Sequence, residues 1–97
     1  MNAMLVIDAA FVPRLAKKAR LKLDRHANTY MILYPERGLE LNDAAAAIAK
    51  KCDGSRSVGV IADELAAEHE GAPRAAIELD VVAFVSMLRD KGLLDLR

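Results

Sequence analysis

The hydrophobic period of this chain changes once, at Asn42. Before that residue the structured stretches alternate or run in short β-rich blocks. After it, apolar residues recur at spacings of three and four. A chain that places its strands first and its helices afterwards builds a segregated α+β domain, not a parallel sheet laced with crossovers. Arg20-Leu21-Lys22-Leu23-Asp24 has the period of a half-buried strand. Arg25-His26-Ala27-Asn28 reads as a turn, and Thr29-Tyr30-Met31-Ile32-Leu33-Tyr34, apolar on both faces, reads as the central strand. Pro35 cannot donate a ladder hydrogen bond and ends that strand. Glu36-Arg37-Gly38 is read as a second turn and Leu39-Glu40-Leu41 as a short third strand at an edge of the sheet.

The helical part has its own punctuation. Asn42 is a good N-cap, Asp43 suits the positive end of a helix dipole, and the segment from Ala44 to Cys52 reads as helix with Gly54 just past its end. Ser57 caps a second helix, in which Val58, Ile61, Ala62 and Leu65 share a face and which Gly71 stops. Pro73 fits the first turn of a third helix. Its apolar stripe is Ile77, Val81, Phe84, Val85 and Leu88; Gly92 ends it, and Leu93, Leu94 and Leu96 are expected to fold back on the core. The expected architecture is a single winged-helix-like α+β domain over residues 1–97, a three-stranded antiparallel sheet followed by three helices. Residues 1–12 show no usable pattern and are set apart as a flexible or exchanged N-terminal segment.

Composition narrows the function classes. A 97-residue chain buries roughly two-thirds of its unfolded surface, enough for a modest core. The single cysteine, Cys52, excludes an internal disulfide and any paired-cysteine metal or redox site. No apolar run reaches the ~20 residues of a membrane span. The apolar run at Met4-Leu5-Val6-Ile7 has no basic residue before it and is broken by Asp8, so it does not read as a signal peptide; a cytoplasmic location with a reduced thiol is expected. Net charge is zero, unlike that of a general nucleic-acid binder. The charge is nonetheless segregated. Residues 1–51 carry nine Lys/Arg and five Asp/Glu, and residues 52–97 carry five and nine. Six of the basic residues fall between Arg14 and Arg25. They are either solvated faces or a positive edge that attracts an acidic partner.

No constellation for catalysis emerges. His26 lies in a turn and His69 at a helix end, neither with a neighbour at metal-ligand spacing. Ser55, Ser57 and Ser86 sit in no nucleophile motif, there is no phosphate-cradling glycine loop, and Cys52 is read as a packing residue. Asp80, set within the stripe of the third helix, is either a surface carboxylate or part of a site. A helix-turn-helix suggests DNA, but the second helix carries Asp63, Glu64, Glu68 and Glu70 and no Lys or Arg, which a phosphate backbone would repel.

Ordered motifs carry a family resemblance. Tyr34-Pro35-Glu36-Arg37-Gly38-Leu39-Glu40-Leu41-Asn42 is followed by Ala45 and Ile48, Cys52-Asp53-Gly54, Ile61 and Leu65, then Asp80-Val81, Phe84, Leu88 and Gly92-Leu93. This combination resembles the pyrroloquinoline quinone (PQQ) biosynthesis protein D family (PqqD), from about Pro13 to Leu96. The Tyr30-Met31 pair departs from it, where such proteins often carry a tryptophan. The resemblance implies a non-enzymatic protein without cofactor or metal. It would hold a ribosomally made PQQ precursor peptide and present it to a radical SAM enzyme that crosslinks a Glu and a Tyr of that peptide. It also implies that the peptide adds a strand to the sheet. The site is then expected at Leu39, Glu40, Leu41 and Asn42, with a groove against Asp80 and the Val81, Phe84, Val85 and Leu88 stripe, of which only part is expected to line it, the rest belonging to the core. A monomer or homodimer, and no nucleic-acid or membrane partner, are expected. The alternatives are a winged-helix DNA-binding regulator and a small oligomerising scaffold.

Overall fold

A computed structural model describes residues 6–96; Met4 and Leu5 of the N-terminal apolar run lie outside them. The strands are β1 (Arg20–Asp24), β2 (Thr29–Tyr34) and β3 (Arg37–Leu41). The helices are α1 (Asp43–Ala49), α2 (Val58–Glu68) and α3 (Arg74–Asp90). The sheet is an antiparallel meander in the order β1-β2-β3, with β2 central as its apolar character predicts. Leu21, Ile32 and Leu39 stand in one cross-strand row, and Leu23, Tyr30 and Leu41 in another. These rows face the helices, and Ile32 and Leu41 are buried there. α1 lies against β2 and β3, and α2 packs along α3. The Lys50 ammonium sits 4.1 Å from the Tyr30 ring centroid, a cation–π contact that ties the end of α1 to β2.

The second turn is shorter than the sequence suggests. Arg37 and Gly38 belong to β3, pairing with Tyr34 and Leu33, and the turn is only Pro35-Glu36. Pro35 presets the first turn position and Glu36 takes the left-handed conformation, φ 64°. Gly38 serves the sheet: a Cβ there would lie 2.9 Å from Met31 Cε.

α1 is also shorter than expected. Asn42 Oδ1 accepts the Ala45 N–H at 2.8 Å, as an N-cap should. The helix nevertheless ends at Ala49 with Lys50 as C-cap, not at Cys52. Two tightened turns follow, Lys51 N–H to the Ile48 carbonyl and Cys52 N–H to the Ala49 carbonyl. The cause is tertiary. The Cys52 carbonyl accepts the Leu15 N–H at 3.1 Å, and the Gly54 N–H donates to the Pro13 carbonyl at 3.0 Å. Gly54, at φ 83°, therefore meets the N-terminal segment and does not terminate α1.

Residues 6–12, without pattern in the sequence, are docked. Ile7 is buried, and the carbonyls of Ala9 and Phe11 accept the N–H groups of Gly59 and Val58. With Ser57 Oγ accepting from Val60 N–H, they satisfy the first-turn donors of α2 that a helix cannot bond internally. Pro73 is the N-cap of α3 and not a residue of its first turn. Leu93 and Leu94 return to the core as expected, but Leu96 is exposed. The acidic face of α2 is largely neutralised: Glu64 pairs with Lys51 and Arg56, Glu68 with Lys51, and Asp63 with Arg74.

Candidate functional site

β3 is an edge of the sheet, and its register decides which of its backbone groups are unused. Across the Pro35-Glu36 turn the Tyr34 carbonyl faces the Arg37 N–H, so Tyr34 and Arg37 form a hydrogen-bonded pair. Such pairs alternate with non-bonded ones along an antiparallel ladder. Ile32–Leu39 and Tyr30–Leu41 are then bonded pairs, while Leu33–Gly38 and Met31–Glu40 are not. The N–H and C=O of Gly38 and Glu40 therefore point away from β2. The side chains of Leu39 and Leu41 face the core, and that of Glu40 is exposed on the opposite face.

Where β3 ends, an apolar cleft of about 310 Å³ begins. Its near wall is the first two turns of α1, with Asp43, Ala44 and Ala47; Ile77 and Asp80 of α3 form the far wall. Leu65, His69 and Ala72 close the end. Ala44 and Ala47 of α1 are too small to fill the space between the walls. The carboxylates of Asp43 and Asp80 stand at the rim, and neither is in an ion pair among the described residues.

Leu39, Glu40 and Leu41 lie on β3 and Asn42 at its exit into α1, whereas Asp80 lines the cleft on the α3 side, with α1 between it and the strand. Val81, Phe84, Val85 and Leu88 are each less than a tenth exposed and packed in the core. The open apolar surface lies instead at Ile77, one turn earlier on α3, and on α1. The stripe and the N-cap drew attention to Ile77 and Asp43, but nothing local marks Ala44 and Ala47 as cleft residues. That role depends on α1 standing off from α3.

Perturbed groups lie away from this edge and have structural causes. Burial pushes the Cys52 thiol up to about 12, and its Sγ donates to the Ile48 carbonyl at 3.4 Å, which leaves it a poor nucleophile. Lys51 is raised by its bonds to Glu64 and Glu68, and Arg74 by Asp63 and Glu78. Asp53 is lowered by the Ser55 hydroxyl, which donates to it at 2.5 Å. Among the described residues no group of three His, Cys, Asp or Glu side chains could hold a metal ion. No helix among them is long and apolar enough to cross a membrane.

Known proteins share both the sequence and this architecture. The family model for coenzyme PQQ synthesis protein D (PqqD) matches residues 29–94. A PqqA binding protein of Bradyrhizobium diazoefficiens is 42% identical over 88 residues, covering 91% of this chain and 84% of that one. The solution structure of the PqqD truncation of Methylobacterium extorquens PqqCD, described as a functional, stand-alone RiPP recognition element, superposes with a TM-score of 0.82 at 34% identity. That match covers 98% of this chain and 99% of the other. A lasso peptide synthetase B1 complexed with its leader peptide has the same fold, with a TM-score of 0.72 at 24% identity over 87% of this chain and 98% of that one. By sequence and by fold, the chain belongs to the coenzyme PQQ synthesis protein D (PqqD) family.

Proposed function

We propose that this protein is a peptide chaperone of PQQ biosynthesis. It binds the ribosomally made precursor peptide as an added strand on β3 and presents it to a radical SAM enzyme. It works in the cytoplasm and performs no catalysis of its own. Its relative in Bradyrhizobium diazoefficiens is named for binding PqqA, which supports the choice of peptide. The observation that carries the mechanism is an unused strand edge running directly into an apolar cleft.

The energetics require both parts. Gly38 and Glu40 offer four outward backbone groups, worth about 4 kcal/mol at ~1 kcal/mol net each. Micromolar binding needs about 8 kcal/mol, before the cost of ordering the peptide. The cleft supplies the remainder. Two aliphatic or aromatic side chains buried there, at ~1.5–3 kcal/mol each, contribute about 3–6 kcal/mol. Asp43 and Asp80 at its rim favour a basic residue next to a buried one. Leu39, Leu41 and the Val81, Phe84, Val85, Leu88 stripe hold the edge and the cleft in place from behind, and Asn42 sets the angle at which α1 leaves β3.

Titration with the precursor peptide, followed residue by residue by NMR, tests the reading. The largest shifts are expected at the Gly38 and Glu40 amides and at Ala44 and Ile77. Shifts confined to other surfaces would refute the site. Crosslinking by the radical SAM enzyme with and without this protein tests delivery, and equal yields would count against it.

A further inference from the structure

We propose that the face of the sheet turned away from the helices is a second docking surface, which takes an acidic patch on the folded enzyme that modifies the bound peptide. The identity of that partner rests on the peptide-delivery reading; the chemistry of the surface does not.

The centre of the face is apolar. Met31 and Leu33 project from β2, Leu33 is exposed, and both lie beside Gly38, which has no side chain to cover its backbone. Arg20 and Lys22 of β1 flank this centre, paired across the sheet with Leu33 and Met31. Lys17 and Lys18 shortly precede β1, and Arg25 follows it directly. These five cations are exposed, and none is in an ion pair among the described residues. In the helical half most cations among the described residues are paired: Lys51, Arg56, Arg74 and Arg89 each meet a carboxylate, while Lys50 and Lys91 do not.

The carboxylates on the same face are engaged. Asp24 Oδ1 accepts the N–H groups of His26 and Ala27, and Glu40 Oε2 accepts the Thr29 hydroxyl. Both carboxylates keep their charge and balance Arg20 and Lys22, so the excess positive charge around the small apolar centre comes from Lys17, Lys18 and Arg25 at the two ends of β1. That is the complement of an acidic, apolar-centred protein patch. A duplex would bring phosphates against Met31 and Leu33, and two apolar side chains are too few to enter a bilayer.

Position fits delivery. A peptide added at β3 joins the edge opposite β1 and leaves this face open. Every second peptide side chain would join the face itself, within reach of whatever docks on it. Five residues at about 3.3 Å by three strands at about 4.8 Å span about 16 by 14 Å, roughly 230 Å². That is far below the ~800 Å² per partner of a stable complex. The contact is transient, as release of a delivered peptide requires.

The test compares wild type with an Arg20→Glu, Lys22→Glu double variant and with Leu33→Gln, measuring affinity for the enzyme and, separately, for the peptide. The double variant should lose about tenfold or more in enzyme affinity and keep peptide affinity within about twofold. Wild-type binding should weaken with salt, and the Leu33→Gln loss should be nearly salt-independent. Unchanged enzyme binding by the double variant overturns the assignment, as does equal loss of peptide binding. A wild-type dimer that the variants dissociate makes a second copy the occupant and also overturns it. If wild type binds peptide but not the enzyme, this surface falls and the peptide site stands. If it binds neither, the peptide reading fails first.

Discussion

Replacing Glu40 with proline isolates the strand-addition mechanism. The Glu40 N–H points away from β2, so proline there breaks no β2–β3 ladder bond. The preceding Leu39 is already in a strand, the conformation proline imposes on its predecessor. The only side-chain bond lost is the long 3.4 Å contact from the Thr29 hydroxyl. The cost to folding should stay below about 1 kcal/mol, since such edge positions tolerate proline. Binding suffers more. One intermolecular bond of ~1 kcal/mol disappears, and the facing peptide carbonyl is left unpaired at ~1–3 kcal/mol if buried. The expected loss is about 2–4 kcal/mol, a weakening of roughly 30- to 900-fold. Glu40→Ala keeps the N–H and should bind within about threefold of wild type. Leu39→Pro removes a ladder donor and a core-facing side chain, and should unfold the sheet. Calorimetric titration with the precursor peptide reads the affinity, and circular dichroism reads the fold. A folded Glu40→Pro protein that binds like wild type would refute pairing through this edge.

Other perturbations probe the cleft, the thiol and the N-terminal docking. Ala44→Phe should fill the cleft from its exposed wall, leave thermal stability nearly unchanged and weaken peptide binding by about tenfold, measured by the same titration. Cys52 should resist alkylation in the folded protein at about pH 8, because burial keeps the thiol protonated. Its folded pKa, about 12, lies above the ordinary 9.0, so its contribution to stability is intact below about pH 9 and is lost as pH rises towards 12. By pH 10 this amounts to about 1.4 kcal/mol, and denaturant titrations should show a correspondingly flatter pH dependence in Cys52→Ala. Gly54→Ala forces a side chain into φ 83° and within 3.0 Å of Arg14 Cδ. A loss of about 1–2 kcal/mol on chemical denaturation is expected.

What the sequence determined by itself was local: the strand–helix order, the extents of β1 and β2, the N-caps at Asn42 and Ser57, and the buried stripe of α3. Each depends on side-chain period or on a hydrogen bond spanning three residues, so neighbours in the chain suffice to specify it. Ordered motifs added the family. The tertiary structure decided the rest. Gly38 looked like a turn residue, and only pairing with Leu33 shows it to be strand; with that shift of two residues comes the register, and with the register the outward direction of the Gly38 and Glu40 amides. Ala49 could have continued α1, but the backbone of Pro13 and Leu15 bonds Gly54 and Cys52 and draws the chain away. Residues 6–12 carry no period because they act largely through backbone carbonyls that cap α2. The cleft lies at Ile77 and not along Val81 to Leu88 for a similar reason. A helical stripe records which residues are apolar, but only the packing of α1 and α2 against α3 determines where that stripe is covered and where it opens.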